Sequence, residues 1–404
     1  MNGNNQPTLR YLFFTFLKIG AASWGGFMAL ISIVQKRVVE KDKKIENELI
    51  LEGISLASVL PGPMAFNVVT FIGYRLKGMK GAFVSMAGIL LPSFLLMLLL
   101  SFLYLRYGNV PAFNHFFAGI LPAVAAIIIS VAFAMVKKNI SGVPQGIIAV
   151  ISLLIMIFSK AYLSTITIML VSGIAGYFLY YKPTDSKEKY QKKMPSTLKM
   201  NYSRFVIPFM LFFFLLLTFF YPSILPEKFT DIVLLNRKII LIFSGMSLSL
   251  FGGGYVVIPA MQQVIVNSMG WLTNKEFSDA VAMGQVTPGP IFITATFIGY
   301  KVAGFWGAVN ATLAIFLPPG LLMIACSRFF DSIRKSAVIA AVFKGLRPAI
   351  IGMIAAASFT ILAHGDLSLK TGLLFLAFLI LAIRYKADPV YLIPGAGLIG
   401  LLIF

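Results

Sequence analysis

Long apolar stretches alternate with short polar intervals along the chain, and the stretches are of two kinds. The first kind is interrupted near its middle. Tyr11–Val34 is broken at Ser23–Gly26, Leu49–Tyr74 at Pro61–Pro63, Ile239–Val266 at Gly252–Gly254, and Phe277–Tyr300 at Pro288–Pro290. Proline removes an amide donor and restricts its predecessor, and glycine weakens a helical turn, so these interruptions end one helix and start another. The second kind runs unbroken: Ala82–Leu105, His115–Val136, Val143–Ile157 and Tyr162–Tyr181, then Gly304–Ser327, Val338–Leu362, Leu367–Ile383 and Pro389–Phe404. Runs of this character predict helices that cross a hydrocarbon layer. A polar stretch, Lys182–Ser203, and one further apolar span, Arg204–Pro222, separate the two series.

The two series are copies. Leu60-Pro-Gly-Pro63 returns as Thr287-Pro-Gly-Pro290, and Thr70-Phe-Ile-Gly-Tyr74 as Thr296-Phe-Ile-Gly-Tyr300, with Arg75 answered by Lys301. Trp24-Gly25-Gly26 matches Phe251-Gly252-Gly253, Glu52 matches Asp279, Pro92 matches Pro318, and Gly119 with Pro122 matches Gly345 with Pro348. Ordered matches at a nearly constant offset signal duplication. The expected fold is an all-α integral membrane protein of two repeats. Each repeat has two broken, re-entrant helical hairpins followed by four transmembrane helices. Residues 1–181 form the first repeat, 182–223 a cytoplasmic linker and connecting span, and 224–404 the second repeat.

Composition narrows the class further. Of 404 residues, 59% are hydrophobic and 12% charged. A soluble domain carries about 25% charged residues. The net charge of +20 comes from Lys and Arg clustered between apolar segments. Retention on the cytoplasmic side explains such clusters without nucleic acid. One cysteine, Cys326, and two histidines, His115 and His364, leave too few ligands for a metal site. No phosphate-binding loop or nucleophile elbow is present, so neither cofactor nor enzyme activity is expected. With the N-terminus and the loops Lys36–Glu48 and Arg75–Lys80 in the cytoplasm and the broken segments re-entrant, most of the 34 Lys and Arg lie inside. The connecting span then inverts the second repeat; if the broken segments cross fully instead, the bias is smaller and the inversion remains. Its matching loop, Asn267–Phe277, holds only Lys275. The first apolar segment lacks a cleavage pattern and is expected to stay in a multi-pass protein of a bacterial plasma (inner) membrane.

Broken helices in inverted repeats are a recurring transporter plan. The first amides of a half-helix lack intrahelical partners and, with the helix dipole, attract an anion. The expected anion-binding residues are Ser23, Gly25, Gly26, Gly62, Pro63, Asn67, Gly252, Gly253, Gly254, Gln285, Thr287, Gly289, Pro290 and Thr294, with Ser58 and Thr296 nearby. The alternative is that glycine and proline here are only kinks and packing points. Charges within apolar segments are expensive. Glu52 and Asp279 either take up a proton, pair with a cation, or cap their segments near the surface; Arg75 and Lys301 are charge-pairing candidates. Lys18 either contacts the anion or snorkels to the cytoplasmic face. Lys344 and Arg347 suit either an anion pathway or an outer anchor. The many phenylalanines are expected to face lipid or pack the interior.

Phe251-Gly-Gly-Gly-Tyr255 with Pro259, Gly270-Trp-Leu-Thr273, and Gln285-Val-Thr-Pro-Gly-Pro290 together resemble the second half of the chromate ion transporter family. Trp24-Gly-Gly-Phe27, Lys36-Arg37 and Leu60-Pro-Gly-Pro63 resemble its first half. Ser58 departs from the glutamine common in that half of the family. The resemblance implies ion-coupled chromate efflux, with sulfate as a similar tetrahedral dianion. A permease or channel for sulfate or another small anion is the alternative, and a homodimer is compatible with either.

Overall fold

The computed structural model describes residues 7–23, 26–107, 110–159, 164–181, 231–249, 255, 257–327, 337–363 and 368–404. Among them there is no strand. The first repeat comprises α1 (Leu9–Ala22), α2 (Gly26–Val34), α3 (Asn47–Ala57), α4 (Met64–Tyr107), α5 (Pro111–Asn139), α6 (Val143–Phe158) and α7 (Ser164–Tyr180). The second comprises α8 (Asp231–Ser249), α9 (Val257–Met261), α10 (Asn274–Val286), α11 (Thr294–Ser327), α12 (Ala337–Ala363), α13 (Leu369–Ile383) and α14 (Pro389–Ile403). The polar linker and the connecting span fall outside the described residues.

The chain returns on itself across the Ser23–Gly26 and Pro61–Pro63 interruptions. Thr8 caps α1 by accepting from the Tyr11 amide, and α1 ends at Ser23. The Tyr11 hydroxyl then donates to Asp42 at 2.6 Å, which ties the start of α1 to the end of the segment after α2. That segment, Gln35–Lys41, is a π-helical continuation where the sequence suggested a loop. Gln262–Ser268 repeats it in the second half. In both, a glutamine side chain holds the start of the next helix: Gln35 donates to Asn47 at 2.9 Å and Gln262 to Asn274 at 3.1 Å. Arg75 reaches Glu52 at 3.4 Å, and a Cβ on Gly53 would stand 3.0 Å from the Phe71 ring. The helix before Pro61–Pro63 therefore lies beside the one after it, as a hairpin.

A sharp hinge follows each second hairpin. Lys77 (φ −140°, ψ 26°) and Gly78 (φ 59°, ψ −151°) divide α4 into two limbs. Ala303 (φ −140°, ψ 27°) and Gly304 (φ 62°, ψ −152°) divide α11 in the same way. Gly78 and Gly304 combine positive φ with extended ψ, a region essentially closed to residues with a Cβ. The limbs then close so tightly that Gly81 lies on the Gly73 carbonyl and Gly307 on that of Gly299.

Packing runs both within and across the halves. The second limb of α4 lies along α1, with Gly88 against Phe13 and Gly20 against Ile89, and α11 packs on α8. The long helices α4 and α11 pack on each other, as do α5 and α12. The last two helices of each half exchange: α13 and α14 pack on α5, while α6 and α7 pack on α12. Glycine pairs allow two of these crossings, Gly119 on Gly400 and Gly176 on Gly345. Close backbone approach of this kind is how helices associate without a hydrophobic drive between them. The second-half hairpin opens at the far end of α4, where Lys275 donates to Asn114 of α5 at 2.7 Å.

Four described helices are long and apolar enough to cross a membrane: Met64–Tyr107, Asn114–Lys137, Ile291–Ser327 and Ala337–Leu362. Val143–Phe158, Ser164–Tyr180, Leu369–Ile383 and Tyr391–Ile403 are shorter and apolar. Phe158, Phe178 and Leu402 stand exposed on the outer surface, and small and aromatic residues fill the interior. This is an apolar exterior suited to lipid.

Candidate functional site

The two Pro-Gly-Pro breaks seat on opposite halves. Gly62 (φ +94°) lies against the ring of Pro319 on α11, too close for a Cβ. Gly289 (φ +101°) lies against Ser93 on α4, where a Cβ would be 2.5 Å from the hydroxyl. Ser93 and Pro319 directly follow the repeat-matched prolines Pro92 and Pro318, so the two contacts are reciprocal. The Ser93 hydroxyl donates to the Pro288 carbonyl at 2.5 Å. The Gly289 amide donates to the Ser23 carbonyl at 2.8 Å, which joins the α1 break to the α10 break. Beyond the breaks, Phe66 and Phe292 converge on Phe316, with ring centroids 5.2 Å and 6.3 Å away. Three of the four predicted interruptions thus reach one inter-half region. Gly25, Gly252, Gly253 and Gly254 lie outside the described residues, and Gly26 opens α2.

The polar groups divide into committed and open ones. The hydroxyls of Ser23, Ser58, Thr287 and Thr294 donate to the carbonyls of Gly20, Ser55, Gly284 and Ile291, at 3.3, 2.8, 2.9 and 2.8 Å. Their protons cap local turns, as hydroxyls near helix ends commonly do. Thr296 pairs with Thr312 at 2.7 Å. The buried Asn67 amide donates to the Pro61 carbonyl at 3.0 Å, and its Oδ1 has no partner. The Gln285 Nε2 is likewise buried without one. Buried polar atoms are nearly always paired, so an open acceptor and an open donor beside the two breaks mark places for a polar guest.

The charged candidates lie at the hairpin mouths. Glu52 and Arg75 form a part-exposed pair, their side chains 35% and 48% exposed. Lys301 pairs not with Asp279 but with Glu276, which also closes a capping box with Thr273. Asp279 is 1% exposed; its Oδ2 accepts from the Tyr104 hydroxyl at 2.6 Å, and its Oδ1 has no partner. Lys18 lines a groove of about 300 Å³ with Arg10, Tyr11 and Arg37, at the mouth of the α1 hairpin rather than at its break. Lys344 and Arg347 are exposed on α12, and the Lys344 ammonium sits 5.7 Å from the centre of the Tyr180 ring. Sequence reasoning did not single out Ser93, Pro319, Tyr104 or Glu276. The matched prolines pointed one residue short of the first two; the capping-box pattern Thr273-x-x-Glu276 could have marked Glu276, and nothing local marked Tyr104.

The family profile described as chromate transporter matches residues 10–177 and 237–401. A chromate transport protein of Cupriavidus metallidurans is 29% identical over 403 residues, covering 98% of this chain and 94% of its own. An uncharacterized transporter of Methanocaldococcus jannaschii is 28% identical over 387 residues, covering 96% of this chain and 92% of its own. A shorter uncharacterized transporter of Bacillus subtilis is 32% identical over 158 residues, which cover 37% of this chain and 86% of the shorter one. No solved structure matches the chain. Profile matches in both halves, on either side of the linker, establish that this multi-pass membrane protein belongs to the chromate transporter family.

Proposed function

We propose that the protein is an ion-coupled secondary transporter that exports chromate, or a similar tetrahedral oxyanion, across the bacterial inner membrane. The chromate transport protein of Cupriavidus metallidurans, matched along nearly the whole chain, supports the substrate class. Residues 1–181 and 224–404 act as two inverted repeats joined by the linker and span 182–223. Supporting inversion, the first hairpin mouth carries Glu52–Arg75 at the hinge end of the second limb of α4, whereas Lys275 of the second mouth meets Asn114 just beyond that limb's other end. The half-length Bacillus relative supports reading one repeat as a unit.

The anion sits among the breaks, near Ser23, Gly62, Asn67, Gln285 and Gly289. The reciprocal seating of Gly62 on Pro319 and Gly289 on Ser93 carries this reading. Any rocking of one half against the other changes the surroundings of both breaks together, which is what alternating access requires. Arg10, Lys18 and Arg37 concentrate anions at one mouth by their field. Chromate and sulfate are both tetrahedral dianions, so sulfate is expected to compete with chromate.

Flux of chromate into inside-out proteoliposomes, with and without a pH gradient and with sulfate as competitor, tests the reading. Saturable, gradient-dependent chromate flux is expected. Non-saturating flux would make the protein a channel, and flux of sulfate alone a sulfate permease. In a Cys326→Ser background, Lys43→Cys and Lys275→Cys are expected to label from opposite faces; labelling from one face would end the inverted arrangement.

A further inference from the structure

We propose that Asp279 is a proton-exchange site of the transport cycle and that Tyr104 is its partner across the inter-half boundary. The inference deepens the transporter reading and rests on it for the link to flux. Its starting point is the departure of two equivalent positions from each other. Glu52, the repeat counterpart, has a cation in reach and stands in a part-exposed mouth, so its charge is balanced. Asp279 has no ion-paired cation among the described residues and almost no exposure to solvent. It is buried, lacks a salt bridge among the described residues, and holds one oxygen without a donor. The two basic residues nearest in sequence on that side are engaged elsewhere: Lys275 with Asn114 and Lys301 with Glu276.

The groups that face Asp279 are few. Tyr104 comes from α4, and Lys275 and Glu276 lie one turn earlier on α10. Phe297 and Phe117 stack edge-on around the Tyr104 ring, at 5.3 and 5.8 Å, and hold its hydroxyl on the carboxyl group. A carboxylate in such a place accepts from one donor and otherwise has only the Lys275 charge a turn away, and an ionisable group kept there at a cost is expected to work. A proton arriving on Oδ1 gives a neutral acid, with Oδ2 still accepting from Tyr104. Its departure restores the anion, and no other bond is made or broken. Because Tyr104 belongs to the first repeat and Asp279 to the second, the charge on one carboxyl group alters the strength of a bond between the moving halves.

The test uses the full chain reconstituted in lipid vesicles. Infrared difference spectra across a pH titration are expected to contain a carboxylic-acid carbonyl band that disappears in Asp279→Asn, shifts in Tyr104→Phe, and persists unchanged in Glu52→Gln. In the same vesicles, Asp279→Asn is expected to lose the response of chromate flux to a pH gradient while retaining chromate exchange at equal pH. Tyr104→Phe, which keeps the ring packing, is expected to weaken the response. A band that survives in Asp279→Asn, or gradient-driven flux that survives with it, would overturn the proposal. Wild-type vesicles that carry neither chromate nor sulfate yet display the Asp279 band would sink the transport reading and leave the proton site standing.

Discussion

The mouths of the two second hairpins are built on the same backbone and stabilised by different chemistry. In the first repeat, Glu52 and Arg75 meet at 3.4 Å with both side chains partly in solvent. In the second, the cation at the matching place, Lys301, turns to Glu276, and Asp279 is left in the interior with Tyr104 from the other half. The hinges beside them remain the same within a few degrees. Duplication has kept the turns, which only particular residue types can make, while the side chains around the carboxylates have taken separate roles. An exposed ion pair closes one mouth, and a buried carboxyl bonded across the halves lies behind the other.

The largest effects should come from the features the halves share. Gly62→Leu and Gly289→Leu each force a side chain into the opposite half's helix at a positive φ, and are expected to abolish chromate flux while the protein still reaches the membrane fraction. Flux retained in either variant would remove the breaks from the transport path. Asp279→Ala and Glu52→Ala then separate the mouths. Loss of a buried hydrogen bond to a charged group costs about 1.5–3 kcal/mol, whereas an exposed ion pair contributes about 0.2–1 kcal/mol. Thermal unfolding in detergent should rank them in that order, and equal losses would erase the contrast. Gly78→Ala and Gly304→Ala should each cost about 1–3 kcal/mol of backbone strain. Neither Cβ meets an atom within 4 Å, so the two losses should agree. Ser93→Ala removes one neutral hydrogen bond to Pro288 and should cost about 1 kcal/mol, with a clearer effect on flux than on unfolding.

Much of the architecture was legible in the residue pattern. Pro61–Pro63 and Pro288–Pro290 end helices wherever they stand, because a missing amide donor and a forbidden dihedral are local facts. The matching of Glu52 with Asp279 was equally plain, and so were the apolar spans. The sequence did not reveal what these residues would touch. Ser23, Thr287 and Thr294 looked like donors for an anion, yet each hydroxyl donates to a carbonyl one turn back. Gly289 looked like an open amide, and the Ser23 carbonyl occupies it. Lys18 was open to either an anion contact or the membrane face, and only the fold set it in the groove at the hairpin mouth.

By itself the sequence determined that the chain is a duplicated, helical membrane protein with interruptions at set places, since hydropathy, proline and glycine act through the backbone nearest to them. Only the tertiary structure decided that the Pro-Gly-Pro breaks face Pro319 and Ser93, that Lys301 belongs to Glu276, and that Tyr104 belongs to Asp279. Those pairings join residues from helices far apart in the chain. They are selected by which helices can approach closely once every apolar face is buried or turned to lipid, a condition of the whole assembly that no single segment contains.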